Sequence, residues 1–292
     1  MEMTFDEVLS PTESILFESL RWNPGAGCFQ WVDILRSKLY RWFEKTGNVE
    51  IADLPFQYLP LAIPLAADRT LVASDTEIYE FSWASGDLYR IAAVPALASV
   101  RLNDGNFDER GDLWVGSMHV AGEGQHGSLY RVTPAGEVIC MADQLGISNG
   151  VVPHPAGGVL HIDTPTRRVT HFLDSAAASS GTRNFAFLPG PGVPDGMTLA
   201  HGGVWIAMWG GARIERFDLS GDRMEPVSVP RRFPTSVAFG GDANDLVAVT
   251  AARGDEDGPP DPCAALLVGR MEPQAVSNST SNVIPAPERV GT

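Results

Sequence analysis

The sequence predicts an all-β protein, a six-bladed β-propeller. Three observations lead there. A short strand of branched and aromatic residues occurs six times, and each copy is followed by a second, alternating strand. Successive copies lie about 40 to 50 residues apart, the size of one four-stranded blade.

Taken in order, the first unit pairs Trp31-Val-Asp-Ile34 with Leu39-Tyr-Arg-Trp42, and the second pairs Leu71-Val-Ala-Ser74 with Ile78-Tyr-Glu-Phe81. Leu113-Trp-Val-Gly116 precedes Leu129-Tyr-Arg-Val132, and Leu160-His-Ile-Asp163 precedes Val169-Thr-His-Phe172. The last two units are Val204-Trp-Ile-Ala207 with Ile214-Glu-Arg-Phe217, and Leu246-Val-Ala-Val249 with Ala265-Leu-Leu-Val268. Turn signals such as Ser85-Gly-Asp87, Pro134-Ala-Gly-Glu137 and Ser220-Gly-Asp222 separate strands tightly enough for antiparallel neighbours. Outside the acidic first twenty residues no sustained helical stripe occurs. A β-sandwich is the alternative fold, but it requires no repeat.

The six units nearly fill the chain of 292 residues, which reads as one propeller domain over 1–292. Its blades run from about residue 13 to about residue 270. Arg253 to Cys263 is an acidic, proline-rich loop. The polar tail at 272–292 has the composition of a partly disordered segment, part of which is expected to pair with the first blade and close the ring.

Composition narrows the function. The net charge of -15, with no basic cluster, argues against a nucleic-acid surface. Lys38 and Lys45 are the only lysines and sit among charged neighbours, so Schiff-base chemistry is nearly excluded. Cys28, Cys140 and Cys263 share no metal or disulfide spacing and fit a reducing compartment. The acidic N-terminus is unlike a signal peptide, and Pro60 and Pro64 break the most apolar stretch. The expectation is a soluble, cytoplasmic protein without membrane contact, a monomer or small homo-oligomer.

The repeat also shows which polar residues share a phase. Glu18 lies 14 residues before Val32, Asn103 12 before Val115, Asn149 13 before Ile162, Asp195 11 before Ile206 and Thr235 12 before Val247. Five blades thus place an oxygen-bearing side chain at the entry to a strand. If those strands line the channel, the side chains converge at its mouth and can hold one hard or borderline divalent cation. The matching spot in the second blade, near Leu59 and Pro60, is apolar and is expected to form a wall against a ligand's carbon skeleton. Asn-Gly and Asp-Gly are also ordinary turn dipeptides. The shared phase, with Glu18 and Arg101, which are not turn residues, favours a site.

Two rival chemistries are visible. Gly146-Ile-Ser148-Asn-Gly150 fits a serine-hydrolase elbow, but that motif needs a helix directly after the serine, and Pro153 and Pro155 oppose one. His154, His161 and His171, and separately His119 and His126, lack zinc-site spacing, although His119 is placed to reach the pocket rim.

The segments Glu18-Ser-Leu-Arg-Trp-Asn-Pro24, Arg101-Leu-Asn-Asp-Gly105, Gly116-Ser-Met118, Ile147-Ser-Asn-Gly150, Pro194-Asp-Gly196 and Pro234-Thr-Ser236 resemble the SMP-30/gluconolactonase (regucalcin-like) family of sugar lactonases, from about residue 13 to about residue 270. The resemblance implies hydrolysis of a sugar lactone such as glucono-, xylono- or arabinono-lactone, with one divalent metal on Glu18, Asn149 and Asp195. It implies Arg101 and Asn103 on the substrate hydroxyls, and Glu123 as the substrate-loop acid. Asp195 and Arg101 are then the catalytic pair, Asp195 as proton acceptor and Arg101 as oxyanion or hydroxyl ligand. The oxygen donors suit Ca²⁺, Mg²⁺ or Mn²⁺, and carboxylate sites also take Zn²⁺ or Fe²⁺. Phe17 and Leu20 depart from the family's glycine and proline, which places substrate identity in question more than metal binding. A metal-dependent esterase or phosphotriesterase, or a non-catalytic interaction propeller, are the other readings.

Overall fold

A computed structural model describes residues 3–95, 97–173, 181–254 and 261–271. Among these residues 24 strands form six four-stranded antiparallel sheets. The innermost strands are β2 (Phe17–Asn23), β6 (Leu61–Pro64), β10 (Val100–Phe107), β14 (Ser148–Pro153), β18 (Val193–Ala200) and β22 (Pro234–Gly240). Each touches the inner strands of both flanking blades, which closes a ring around a channel.

The repeated pair of sequence patterns forms the two middle strands of every blade. The first pattern becomes β3 (Cys28–Asp33), β7 (Arg69–Ala73), β11 (Leu113–His119), β15 (Val159–Asp163), β19 (Gly203–Trp209) and β23 (Leu246–Ala251). The second becomes β4 (Lys38–Phe43), β8 (Glu77–Ser82), β12 (Gly127–Val132), β16 (Arg168–Phe172), β20 (Arg213–Asp218) and β24 (Ala265–Arg270). The strands of the first pattern are apolar almost without interruption because both of their faces are covered, whereas those of the second alternate. Trp31 packs between blades 6 and 1, while its neighbour Val32 packs between blades 1 and 2. Val204 and Ile206 face blade 4, and Trp205 and Ala207 face blade 6. The core is thus six clusters, one between each adjacent pair of blades.

The outer strands are β5 (Val49–Asp53), β9 (Leu88–Ala93), β13 (Val138–Leu145), β17 (Thr182–Phe187) and β21 (Arg223–Ser228) in blades 1 to 5. Blade 6 takes its outer strand from the other end of the chain. There β1 (Phe5–Leu9) pairs with β24, and Arg231 ties it down through Glu7 and Asp261. Ring closure therefore comes from the N-terminus, within the acidic segment where a helix was most plausible, and the propeller begins at Phe5 instead of near residue 13. The tail 272–292, expected to pair with blade 1, lies outside the described residues, as does 255–260 of the acidic loop. No helix among the described residues is long and apolar enough to cross a membrane.

Candidate active site

The phased polar residues lie on the inner strands themselves, one strand earlier than the strands expected to line the channel. Each sits at a break in register with its neighbour: between Glu18 and Arg21, Leu102 and Gly105, Asn149 and Val151, Pro194 and Met197, and Pro234 and Ser236. Bulges of this kind re-aim side chains that a regular pleat would turn elsewhere. The inner strand of blade 2, β6, pairs in unbroken register and contributes no such residue.

The glycines after these residues serve close approach and are not turn residues. A Cβ on Gly150 would lie 2.7 Å from Ile162 and Met197 and 2.9 Å from the Asp195 carbonyl, and one on Gly196 would lie 2.6 Å from the Thr235 carbonyl. Neither has a positive φ. Only a bare backbone lets neighbouring inner strands come so near.

Equivalent aspartates at the ends of two middle strands steer the chain into the site. Asp33 accepts from the backbone N–H groups of Ile15 and Leu16, at 2.9 and 3.2 Å, just before Glu18. Asp163 accepts from Gly146 and Ile147, at 3.1 and 3.3 Å, just before Asn149. At the blade 1 bulge, Ser19 adopts φ 56° and its hydroxyl exchanges hydrogen bonds with the backbone of Ala62 in blade 2.

Three expected metal residues come together. Asn149 Nδ2 donates to Asp195 Oδ1 at 2.5 Å and to Thr164 Oγ1 at 3.2 Å, and Thr164 in turn donates to the Pro194 carbonyl. Both amide hydrogens are thereby used, which leaves the Asn149 carbonyl oxygen as a free electron-pair donor. Glu18 is half-buried and accepts from Ser236 Oγ at 3.0 Å. Asp195 is 4% exposed and shares a hydrogen bond with the Glu18 carboxyl.

Charge in this dry ring is only partly balanced. Burial, then the nearby Asp104 carboxylate, push the Glu18 carboxyl up to about 8 against the pull of Ser236 and Arg101. Burial and the charges of Glu18 and Asp104 drive Asp195 well above the usual carboxylate range. Asp104 is itself raised by burial, although Arg21 lies 3.2 Å away. Three carboxyls thus face two guanidinium groups, Arg21 and Arg101. Among the described residues no three of His, Cys, Asp and Glu are grouped so as to hold a metal. The donor set is instead two carboxylates and one amide oxygen, a hard, anionic set that fits one divalent cation.

Arg101 and Asn103, the expected substrate ligands, are buried beside this set. Arg101 Nη1 donates to the Leu102 carbonyl at 2.9 Å and to Asn103 Oδ1 at 2.8 Å, and Asn103 Nδ2 donates to the Ser148 carbonyl at 3.0 Å. Glu123 is not brought to the cluster. It is exposed on the loop between β11 and β12 and makes no hydrogen bond with these residues.

Other expectations change. Thr235 is fully buried and spends its hydroxyl on the Phe17 carbonyl and on Thr250, so it joins blades 6 and 1, and its neighbour Ser236 reaches Glu18. Leu59, with Phe17 and Leu20, is wholly inside the inter-blade core and offers no apolar wall to a ligand. Burying each such side chain contributes roughly 1.5–3 kcal/mol, reason enough for its presence. Sequence reasoning passed over Asp104, read as half of a turn dipeptide, and Ser236; the only available signal was their adjacency to phased residues.

Ser148 opens a strand and no helix follows, as the prolines indicated. It is fully buried, and its Oγ lies 2.7 Å from His161 Nε2. Burial holds the His161 imidazole down at about 3, so it stays neutral. The ring centroids of His154 and His171 lie 4.4 Å apart, tilted by 47°, and those of His119 and His126 lie 5.5 Å apart, with no metal grouping among the described residues.

Residues 16–253 match the SMP-30/Gluconolactonase/LRE-like region. The pentonolactonase XacC of Haloferax volcanii is 30% identical over 262 residues, covering 88% of this chain and 88% of that protein. The 6-deoxy-6-sulfogluconolactonase of Pseudomonas putida is 30% identical over 247 residues, covering 82% and 84%. Among solved structures, the calcium-binding protein regucalcin from Agrobacterium tumefaciens superposes with a TM-score of 0.83 at 25% identity, covering 92% of this chain and 94% of that one. The bulged, acid-rich inner ring and these similarities lead to one conclusion: the chain belongs to the SMP-30/gluconolactonase/LRE-like family.

Proposed function

We propose that the protein hydrolyses a sugar lactone, an aldonolactone of the glucono-, xylono- or arabinono- type, to the free aldonic acid, with a divalent cation held by Glu18, Asn149 and Asp195. The observation that carries the reading is the convergence of the buried Asp195 carboxyl, the half-buried Glu18 carboxyl, both under-compensated, and a free amide oxygen beside a buried arginine. Family membership, and relatives named as lactonases, support the substrate class. A cation bound there supplies Lewis acidity to the lactone carbonyl.

The chain's own residues account for the rest. Asp195, with its carboxyl raised by burial and by its acidic neighbours, is a stronger base than an ordinary carboxylate and is placed to take a proton. It accepts the proton of the attacking water and returns it to the ring oxygen as the C1–O bond breaks. Arg101, fixed through Nη1, keeps its remaining N–H groups for the developing oxyanion or the sugar hydroxyls. Asn103 orients Arg101 and ties it to blade 4. Glu123 keeps its place as substrate-loop acid on the family resemblance alone, since it is exposed and not joined to the cluster. Phe17, Leu20 and Leu59, sealed in the core, offer no apolar surface to the more apolar substrate of an esterase.

The test is proton release, followed with a pH indicator, from glucono-, xylono-, arabinono- and galactono-lactones. Chelated protein is compared with protein reloaded with Mn²⁺, Ca²⁺, Mg²⁺, Zn²⁺ or Fe²⁺, the last handled without oxygen. Metal-dependent acceleration with one preferred sugar is expected. Tight metal binding with no acceleration would shift the substrate to another ester, and no metal binding would end the enzyme reading.

A further inference from the structure

Blade 2 is the exception in the ring. Its inner strand is regular, and its phased residue is buried in the core. The segment leading into that strand nevertheless presents Tyr58, one residue before Leu59. Tyr58 is half-buried, and its ring lies over the Arg101 guanidinium at 5.6 Å from the centroid. Its hydroxyl makes no hydrogen bond among the described residues. Among the described residues Arg101 likewise hydrogen-bonds only through Nη1, which leaves Nε and Nη2 for a ligand. Arg101 feels the charges of Glu18, Asp75 and Asp195, so one guanidinium neighbours both the carboxyl centre and the second blade.

We infer that Tyr58 is a specificity-determining residue, whose ring covers the hydroxyl-binding face of Arg101 and whose free hydroxyl meets a substrate hydroxyl on the carbon chain remote from the lactone carbonyl. The geometry that supports this is a phenol with its apolar body packed between blades 1 and 2, its ring 5.6 Å from the substrate arginine, and a hydroxyl with no hydrogen bond among the described residues. Where the other blades bring an oxygen from a bulge, blade 2 brings one on an aromatic lever. A hexonolactone and a pentonolactone differ by one hydroxyl-bearing carbon at that remote end, so Tyr58 acts on the choice between them. This inference rests on the lactone-hydrolase reading.

The experiment measures kcat and KM of the metal-loaded wild type, Tyr58→Phe and Tyr58→Ala on glucono-lactone and xylono-lactone, with Mn²⁺ affinity by calorimetry for each protein. Tyr58→Phe is expected to change the ratio of kcat/KM for the two lactones by about five- to tenfold, the weight of one hydrogen bond, mainly through KM and with Mn²⁺ affinity unchanged. Tyr58→Ala is expected to lose more on both lactones through KM as the cover over Arg101 disappears. An unchanged ratio in Tyr58→Phe, or an equal fall on both lactones with weakened Mn²⁺ binding, would overturn the assignment and leave the hydrolase reading standing. A wild type that accelerates neither lactone would overturn both.

Discussion

Glu215, in β20 of blade 5, and Glu18, in β2 of blade 1, are both withdrawn from water, yet their carboxyls are driven in opposite directions. The Glu215 side chain is 1% exposed, and burial alone would raise it. Arg223 and Arg213 each approach within 2.6 Å and outweigh that cost, so the carboxyl is held below its ordinary value. Glu18 has Ser236 and a more distant Arg101, but also Asp104 and Asp195, and it rises to about 8. A buried acid supplied with its own cations is a structural member. One left short of positive charge among other acids can be neutralised by an external cation, the reading proposed for Glu18.

That contrast breaks hardest at Asp195. Asp195→Asn keeps an oxygen for a cation but cannot take a proton, so lactone hydrolysis should fall about 10²- to 10⁴-fold, read by proton release with Mn²⁺ affinity measured alongside. Retained metal and full activity would remove the proton-acceptor role. Glu18→Gln should weaken Mn²⁺ binding at least about tenfold, since affinity follows ligand charge count. The same change should raise the melting temperature of the chelated protein at pH 8, because an uncompensated buried charge is gone.

The pH dependence sharpens the comparison. The folded metal-free protein binds the Glu18 proton more tightly than the unfolded chain, whose glutamate titrates at the ordinary 4.5. The favourable contribution is therefore complete below about 4.5 and is lost as pH climbs to about 8. Glu215 has the opposite sign: its contribution is present above 4.5 and is lost on acidification. Melts of chelated protein should fall steadily from pH 5 to 8.5 and become shallower in Glu18→Gln, where the raised Asp195 and Asp104 carboxyls still contribute; a wild-type curve already flat would contradict the uncompensated charge.

At the other pole, Glu215→Gln should cost about 1–3 kcal/mol and leave lactone hydrolysis unchanged. The loss stays near the lower end of buried-pair values because half of the Arg223 side chain is solvated. Smallest of all, Ser148→Ala should cost about 1 kcal/mol for one buried hydrogen bond to His161. Neither that substitution nor phenylmethylsulfonyl fluoride should abolish activity; complete inhibition by the reagent would revive the serine reading.

Much of this arrangement was legible before any coordinates. Trp31-Val32 and Val204-Trp205-Ile206-Ala207 announced strands covered on both faces, and these became the middle strands of blades 1 and 5. Counting by phase reached Glu18, Asn149 and Asp195, because residues in one phase of a ring occupy one level of it. The same counting misjudged Thr235 and Leu59, since phase says nothing about which way a side chain turns at a bulge. Asp104 and Ser236 stayed hidden beside their neighbours, because a register break admits two adjacent residues and the sequence does not say which one faces the channel.

The sequence by itself determined the number of blades, the identity of their middle strands and the level of the site, because burial on two faces and a repeat of fixed length are local patterns. Only the tertiary structure decided that β1 closes the ring, that Gly150 and Gly196 let the inner strands close up, and that Glu18, Asp104 and Asp195 share one dry space. Those outcomes depend on contacts between residues distant in the chain, such as the pairing of Phe5 with Gly269 and the hydrogen bond from Ser14 to the Ala264 carbonyl. No pattern within a single blade encodes that separation.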